Sequence, residues 1–180
     1  MPFLESERLL LRPPEFRDMG AITSWVGDYD VAKNLARVPH PYCEEDARNF
    51  VAYAAEARAK GEEFVFAVTR KSDGVFIGCT TLRLKAGRHR LGYWFGKPFW
   101  GNGYATEAAG RVVRYAFLTL KAADVGAGWF HDNPASGRVL EKLGFRHDGA
   151  GPEDCLARGH AVYCHQAALT ALDFRQRKAA

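Results

Sequence analysis

Much of what would assign this 180-residue sequence quickly is missing from it. No stretch approaches the roughly 20 apolar residues that cross a bilayer, so no membrane partner is expected. No dense block of Lys or Arg appears and the net charge is only +4. The basic stripe of a nucleic-acid binder is therefore absent, and no nucleic-acid partner is expected. The first residues, Met1 to Glu7, carry acids and no long apolar run, so a secretory signal is not expected either. No CxxC pair exists among Cys43, Cys79, Cys155 and Cys164, which read as reduced thiols of a cytoplasmic chain. Cys155, His160, Cys164 and His165 come close together in sequence, but not at the spacing of a zinc site, and the last two would point to opposite faces of a strand. No metal is expected.

What is present suits one α/β (α+β) domain over residues 1–180, with 171–180 as a flexible, polar tail. Arg8 to Arg12 reads as a strand stopped by Pro13 and Pro14, and Pro14 to Val26 as a first helix ended by Gly27. Residues 28–42 are irregular. Glu44 to Ala59 is a helix with three acids in its first turn. Phe64 to Thr69, Val75 to Leu84 and Arg88 to Phe95 form an antiparallel meander with turns at Ser72-Asp73-Gly74 and Ala86-Gly87. Gly103 to Leu120 carries one apolar stripe at helical spacing. Val125 to Phe130 is a strand, Pro134 to Leu143 a helix stopped by Gly144, and Phe145 to Asp148 and Ala161 to Leu169 are the closing strands. The order is β-α-α-β-β-β-α-β-α-β-β.

The densest chemical signal is LGYWFGKPFWGNGYATEAA, Leu91 to Ala109, a strand running through a glycine-containing loop into a helix. Gly101 and Gly103 remove side chains where backbone would approach a ligand. The amides of the loop and first helical turn, with the helix dipole, then suit an anion such as a phosphate. The same glycines also fit a plain strand-to-helix turn. A dinucleotide site fits poorly, because Thr106 stands where a third glycine belongs and the preceding strand sits in a meander.

Gly92 to Trp94 and Trp100 to Ala108 resemble motif A of the GNAT acetyltransferases, in the RimJ/RimL-like branch that acetylates ribosomal-protein N-termini. HDNPASGRVLEKLGF, His131 to Phe145, resembles that branch's motif B, and ERLLLRPP at Glu7 to Pro14 matches it too. Trp100 departs from the Gln or Arg that many relatives carry three residues before the central glycine. The resemblance implies a mixed, mostly antiparallel sheet of about seven strands, splayed between the fourth and fifth and flanked by about four helices. It implies acetyl-CoA as cosubstrate, held by Tyr93, Trp94, Phe95, Trp100, Gly101, Asn102, Gly103, Tyr104, Ala105, Thr106, Asn133 and Ser136, and no metal. It implies an enzyme that passes the acetyl group directly to a primary amine, either a protein N-terminus or a small molecule, as a monomer or homodimer. The alternative is a catalytically silent acyl-CoA-binding sensor or scaffold. A strand amide near Tyr93 would polarise the thioester carbonyl, and Ser136 would serve the leaving sulfur. His89, four residues before Tyr93 and on the same face, is the side-chain candidate for the base, with His131 second; either is otherwise a packing or surface histidine, and water can serve. Glu107 reads as a first-turn acid favoured by the helix dipole. For the acceptor pocket the resemblance points to Asn34, Arg37, His40, Pro41 and Tyr42, with Trp25, Trp94 and Tyr163 as candidate aromatic walls.

Overall fold

The computed structural model describes residues 3–179. Met1, Pro2 and Ala180, and the readings that fall on them, lie outside these described residues. The strands are β1 (Leu4–Glu5), β2 (Leu9–Arg12), β3 (Glu63–Arg70), β4 (Phe76–Lys85), β5 (Arg88–Phe95), β6 (Asp124–Phe130), β7 (Arg146–Cys155) and β8 (His160–Thr170). The helices are α1 (Met19–Val26), α2 (Tyr29–Ala32), α3 (Glu44–Ala59), α4 (Tyr104–Leu118), α5 (Pro134–Leu143) and α6 (Ala171–Ala179). All eight strands form one sheet in the order β1-β2-β3-β4-β5-β6-β8-β7. Every pairing is antiparallel except β5 with β6.

Strand alternation sorts side chains onto two faces. On one, Phe66, Val68, Leu82, Leu91, Phe95, Val125, Ala127, Ala167 and Leu169 pack under α4, which buries Ala108, Ala109, Val112, Val113, Ala116 and Phe117, and under Leu140 of α5. On the other, Ala67, Cys79 and Phe76 pack against Ile22 of α1 and Ala47 and Val51 of α3. Each fully buried Leu or Phe contributes on the order of 2 kcal/mol of apolar burial, so the larger α4 face carries most of the stabilisation.

Local chemistry explains most element ends. Asp46 accepts from the Cys43 amide (2.9 Å) at the start of α3. Asn133 accepts from the Ser136 amide (3.3 Å) and Pro134 opens α5. Gly144, at φ +93°, closes α5 with bonds from its own amide to Glu141 and from Phe145 to Leu140.

Several boundaries differ from the sequence reading. α1 begins only at Met19, after a single 3₁₀ turn over Phe16–Asp18, because Asp18 forms a two-pronged ion pair with Arg12 of β2 (2.7 Å on each prong). Residues 28–42 hold a one-turn helix, α2, capped by Asp28, which accepts from the Asp30 amide at 2.8 Å. β7 runs on to Cys155 through Gly149, Gly151 and Pro152, residues that look like a loop but are tolerated in an edge strand. β1 adds an eighth strand, and there are six helices where about four were expected. The expected flexible tail is instead α6: Thr170 Oγ1 caps the Asp173 amide (3.1 Å), and Phe174 stacks on Phe117 of α4 at 4.7 Å.

The Arg12–Asp18 pair is 9% and 4% exposed, so removing one partner strands a buried charge. Asp18→Asn is expected to lose about 3 kcal/mol in urea denaturation. A loss under about 1 kcal/mol would show that water compensates Arg12 fully.

Candidate active site

β5 and β6 are paired only at His89–Val125 and Arg90–Gly126. Beyond Arg90 they part into a fork. On its outer side β5 stays paired with β4 as far as Phe95, and the Gly96 amide donates to Ile77 O at 3.0 Å. In an antiparallel ladder only alternate residues turn their amide and carbonyl to the partner. Gly96, Trp94 and Gly92 therefore face β4, while the backbone groups of Leu91, Tyr93 and Phe95 face the fork. The Phe95 carbonyl is already taken by Trp100 Nε1 at 2.7 Å. Leu91 and Tyr93 are left with amides and carbonyls able to bond an extended chain lying in the gap.

The loop after β5 forms a cradle at the open end of the fork. Gly101 (φ +77°) and Gly103 (φ +78°) take left-handed conformations, and Gly103 leads into α4 without a side-chain cap. The first-turn amides of Tyr104, Ala105 and Thr106 have no carbonyl partner within the helix, and the dipole makes this end positive. A Cβ at Gly101 would meet nothing within 4 Å, so it projects into free space. Asn102 folds its side-chain amide back onto the carbonyls of Trp100 (2.9 Å) and Phe99 (3.3 Å). Of the residues singled out in this loop, Trp100 and Asn102 thus use their side chains to shape the turn, which leaves ligand contact to backbone.

Glu107 is not merely a dipole partner. Its carboxylate accepts from Ser6 Oγ (2.7 Å), the Arg8 amide (2.8 Å) and Arg8 Nε (2.7 Å). Arg8 also donates to Asn102 O (3.1 Å) and lies over the Tyr104 ring at 4.6 Å. Burial would raise the Glu107 pKa, but the bonds from Arg8 and Ser6 outweigh it and hold the carboxyl below its ordinary value. Arg8 and Ser6 were missed as parts of the site, although the ERLLLR signature that contains Arg8 was visible. Nothing local links them to a helix about a hundred residues away.

On the α4 face, Tyr93 Oη donates to Ser136 O (3.0 Å) and shares a second bond with Ser136 Oγ (2.9 Å). The fold brings this pair together: Tyr93 on β5, Ser136 in the first turn of α5. Gly137 lets α5 sit directly on Trp129, since a Cβ there would come within 2.9 Å of the indole. Burial pushes the Tyr93 phenol up to about 12. Asn133 serves as the cap of α5.

His89 is not brought to this pair. It lies on the same face, about 13 Å along the strand, at the closed end of the fork beside Asp124. Burial lowers its pKa. His131 is exposed at the end of β6. Trp94 faces α1 and α3, tilted against Phe76 at 5.9 Å, and Trp25 meets Phe99 edge to face at 5.4 Å. The loop after α2 is tied to the β7–β8 end: Arg158 Nε bonds Lys33 O (2.8 Å), and the Leu156 amide bonds Ala36 O (3.1 Å). Arg37 reaches Glu63 from it (3.2 Å), Asn34 bonds Asp30 O (2.7 Å), and the His40 ring sits 5.1 Å from that of Tyr29. Tyr42, next after Pro41, packs into the core beneath α1 and α3. Tyr163 belongs to the opposite face, edge-on to His165, which stacks on Trp129, so it cannot wall an acceptor pocket beside Trp94. Cys155 and Cys164 pack with Phe130 and Val162. Among the described residues no three His, Cys, Asp or Glu side chains gather to hold a metal, and no helix is long and apolar enough to cross a membrane. A cavity of about 640 Å³ runs along the outer flank of α4 by Glu107, Arg111 and Arg177, and neither Tyr93 nor Ser136 lines it.

Residues 8–146 match the family described as Acetyltransferase (GNAT) domain. The chain is 30% identical over 151 residues to YoaA of Bacillus subtilis (strain 168), an uncharacterized N-acetyltransferase, covering 82% of this chain and 85% of that protein. It superposes on a GNAT-family acetyltransferase from Bacillus anthracis with a TM-score of 0.83 at 28% identity, covering 95% of this chain and 99% of that one. Mycobacterium smegmatis RimJ, solved in complex with CoA-disulfide, shares the fold at a TM-score of 0.84 and 20% identity, covering 95% and 88%.

Glu107 ties the first hairpin to the cradle helix, and its depressed pKa sets a pH dependence. Its contribution is complete above the ordinary value of 4.5 and is lost as pH falls through the lower folded value. Glu107→Gln is expected to cost about 2 kcal/mol at pH 7 by urea denaturation, with the gap to wild type closing below about pH 4. A gap that stays constant to pH 3 would mean that the carboxylate charge is not what holds the hairpin.

Proposed function

The chain belongs to the GNAT acetyltransferase family and is an N-acetyltransferase; from that premise we propose that it moves the acetyl group of acetyl-CoA directly to a primary amine, on a protein N-terminus or a small molecule. The observation that carries this reading is the coincidence of three features. The fork exposes the backbone of Leu91 and Tyr93, the positive cradle opens at the same end, and a hydroxyl pair stands beside the fork. The free space at Gly101 and the orphan amides of Gly103 to Thr106 suit a pyrophosphate. Bound acetyl-CoA would supply an activated acyl group on sulfur. The Tyr93 amide is the donor available to the charge that develops on the carbonyl oxygen.

Magnitudes decide how Ser136 and Tyr93 act. A thiol ionises near 8.5, far below the value of about 12 for Tyr93. Full proton transfer from Tyr93 to the leaving thiolate is uphill by roughly 5 kcal/mol. The pair therefore works as an oriented hydrogen-bond donor that stabilises the thiolate: Tyr93 Oη turns its proton from Ser136 O to Ser136 Oγ, 2.9 Å away, and this frees the Ser136 hydroxyl proton to donate to sulfur. The C–S bond breaks as the N–C bond forms, and the proton lost by the ammonium leaves through water. An α-amine near 8 gives it up more readily than a lysine near 10.4. His89 shares the α4 face with Tyr93, about 13 Å along the strand, so water rather than His89 takes that proton if the amine approaches over the Trp94 face. Four free cysteines, three of them buried among apolar residues and Cys43 exposed, accord with a cytoplasmic setting.

Calorimetric titration with acetyl-CoA, with NADH in parallel, tests the reading; saturable binding of acetyl-CoA alone is expected. Gly101→Ala should weaken that binding at least 10-fold while leaving the fold intact by circular dichroism, because alanine disfavours the left-handed conformation (φ +77°) on which the loop's amide arrangement depends and meets no other side chain. Ser136→Ala should lower kcat about 10- to 100-fold with acetyl-CoA affinity unchanged. Binding without turnover of any amine would instead favour a silent acyl-CoA sensor, and preference for NADH would overturn the reading.

A further inference from the structure

The face of the fork that carries Trp94 holds a charge arrangement that the transfer chemistry does not use. One row of the sheet reads Glu63, Arg83, Arg90, Gly126, Ala168 across five strands. Arg83 and Arg90 are directly opposite one another on β4 and β5, both half-buried. Like charges in that position repel and destabilise the sheet. The neighbouring acid does not relieve them: buried Glu63 is bonded to Arg37 (3.2 Å) and to the Tyr53 hydroxyl (2.8 Å). Arg88, the next cation along β5, is already shared between Asp124 (2.7 Å) and Asp148 (2.8 Å). Among the described residues Arg83 has no hydrogen-bonding or ionic partner, and Arg90 has only the neutral Gln166 Oε1.

The strands beside this pair carry glycines over which polar side chains lie: Thr81 Oγ1 comes within 2.8 Å of where a Cβ on Gly92 would be, Arg88 Nε within 3.4 Å at Gly126, and Cys164 Sγ and Gln166 Oε1 within 3.1 Å at Gly128. Gln166 passes from Arg90 on one wall to Glu153 on the other, its Nε2 3.5 Å from Glu153 Oε2. This polar surface therefore has two guanidiniums on one side and a carboxylate on the other. Arg90 is the last paired residue of β5, about 6.5 Å along the strand from Gly92, where the fork has opened.

We propose that the acceptor is an amine that carries an anionic group, carboxylate or phosphate, a few bonds from its nitrogen, and that Arg83 and Arg90 hold that anion. This rests on the transferase reading above and narrows its acceptor. The planar guanidinium forks match either anion, and an anion between them removes both the repulsion and the uncompensated charge. Held there, the acceptor's nitrogen reaches the fork near Gly92, two residues along β5 from Arg90. Polyamines and uncharged amines lack the group that the two arginines recognise.

The test is a paired panel with acetyl-CoA, reading CoA release: each L-amino acid against its own amide, and O-phosphoethanolamine against ethanolamine, with spermidine as a cationic control. At least one anionic member is expected to exceed its neutral partner by about 30-fold or more in kcat/KM, mostly through KM; such a difference is about 2 kcal/mol, the range of a charge-assisted bond. Whether the carboxylate or the phosphate pair shows it identifies the anion. Arg83→Gln and Arg90→Gln should each collapse that preference while acetyl-CoA affinity by calorimetry stays at the wild-type value. A panel in which no anion is preferred, including one in which nothing is turned over, overturns the inference while normal acetyl-CoA binding leaves the cofactor reading standing. A preference that survives both substitutions also overturns it. Absence of acetyl-CoA binding removes the reading on which it rests.

Discussion

Two residue pairs, His89–Val125 and Arg90–Gly126, are the whole of the contact register between β5 and β6. That short parallel pairing joins the halves of the sheet, and its ending after Arg90 creates the fork. Because β4 continues to hold β5 out to Phe95, the strand stays straight and presents alternate backbone groups to an empty gap. Trp100 then caps the Phe95 carbonyl, which removes the last acceptor at the mouth and turns the chain into the cradle. A longer β5–β6 ladder would satisfy the same backbone groups within the protein and leave nothing for an extended ligand.

The cradle depends on contacts remote in sequence. Its helix is packed on the sheet by small residues, Ala108, Ala109, Val112 and Ala116, so its axis lies close to β5. Its first turn is fixed laterally by Glu107 with Ser6 and Arg8. The same hairpin is anchored at its other end through Arg12 and Asp18. The N-terminal strands thus act as a brace between the cradle and the start of α1. This explains why a stretch with no chemistry of its own carries two of the better-organised charged contacts in the protein.

The two faces of the fork differ in electrostatic character. The α4 side holds Tyr93 and Ser136, neutral groups whose protons stay in place at physiological pH because burial lifts the phenol. The opposite side holds Arg83, Arg90 and Glu153, charges arranged around glycines. In the proposed reaction the first set would bond the leaving sulfur, and in the proposed acceptor site the second would hold a charged group.

Most strands and the three long helices were legible because they rest on local rules. Alternation within a strand, an apolar stripe on α4, the Asn-Pro opening and Gly closing of α5, and a glycine loop before a helix all act within a few residues of chain. The site sequence LGYWFGKPFWGNGYATEAA was legible for the same reason, and the family resemblance covered the whole chain in order. The reading lost β7 after Asp148 because Gly149, Gly151 and Pro152 mimic a loop, and lost α6 because its stability comes from Phe174 stacking on Phe117, more than fifty residues earlier. Tertiary structure alone decided that Tyr93 meets Ser136, that Glu107 clasps Arg8, and that Tyr163 sits on the face opposite Trp94. The reason is register: a strand's local pattern says which of its residues share a face, but only its pairing with distant strands says which neighbours that face will have.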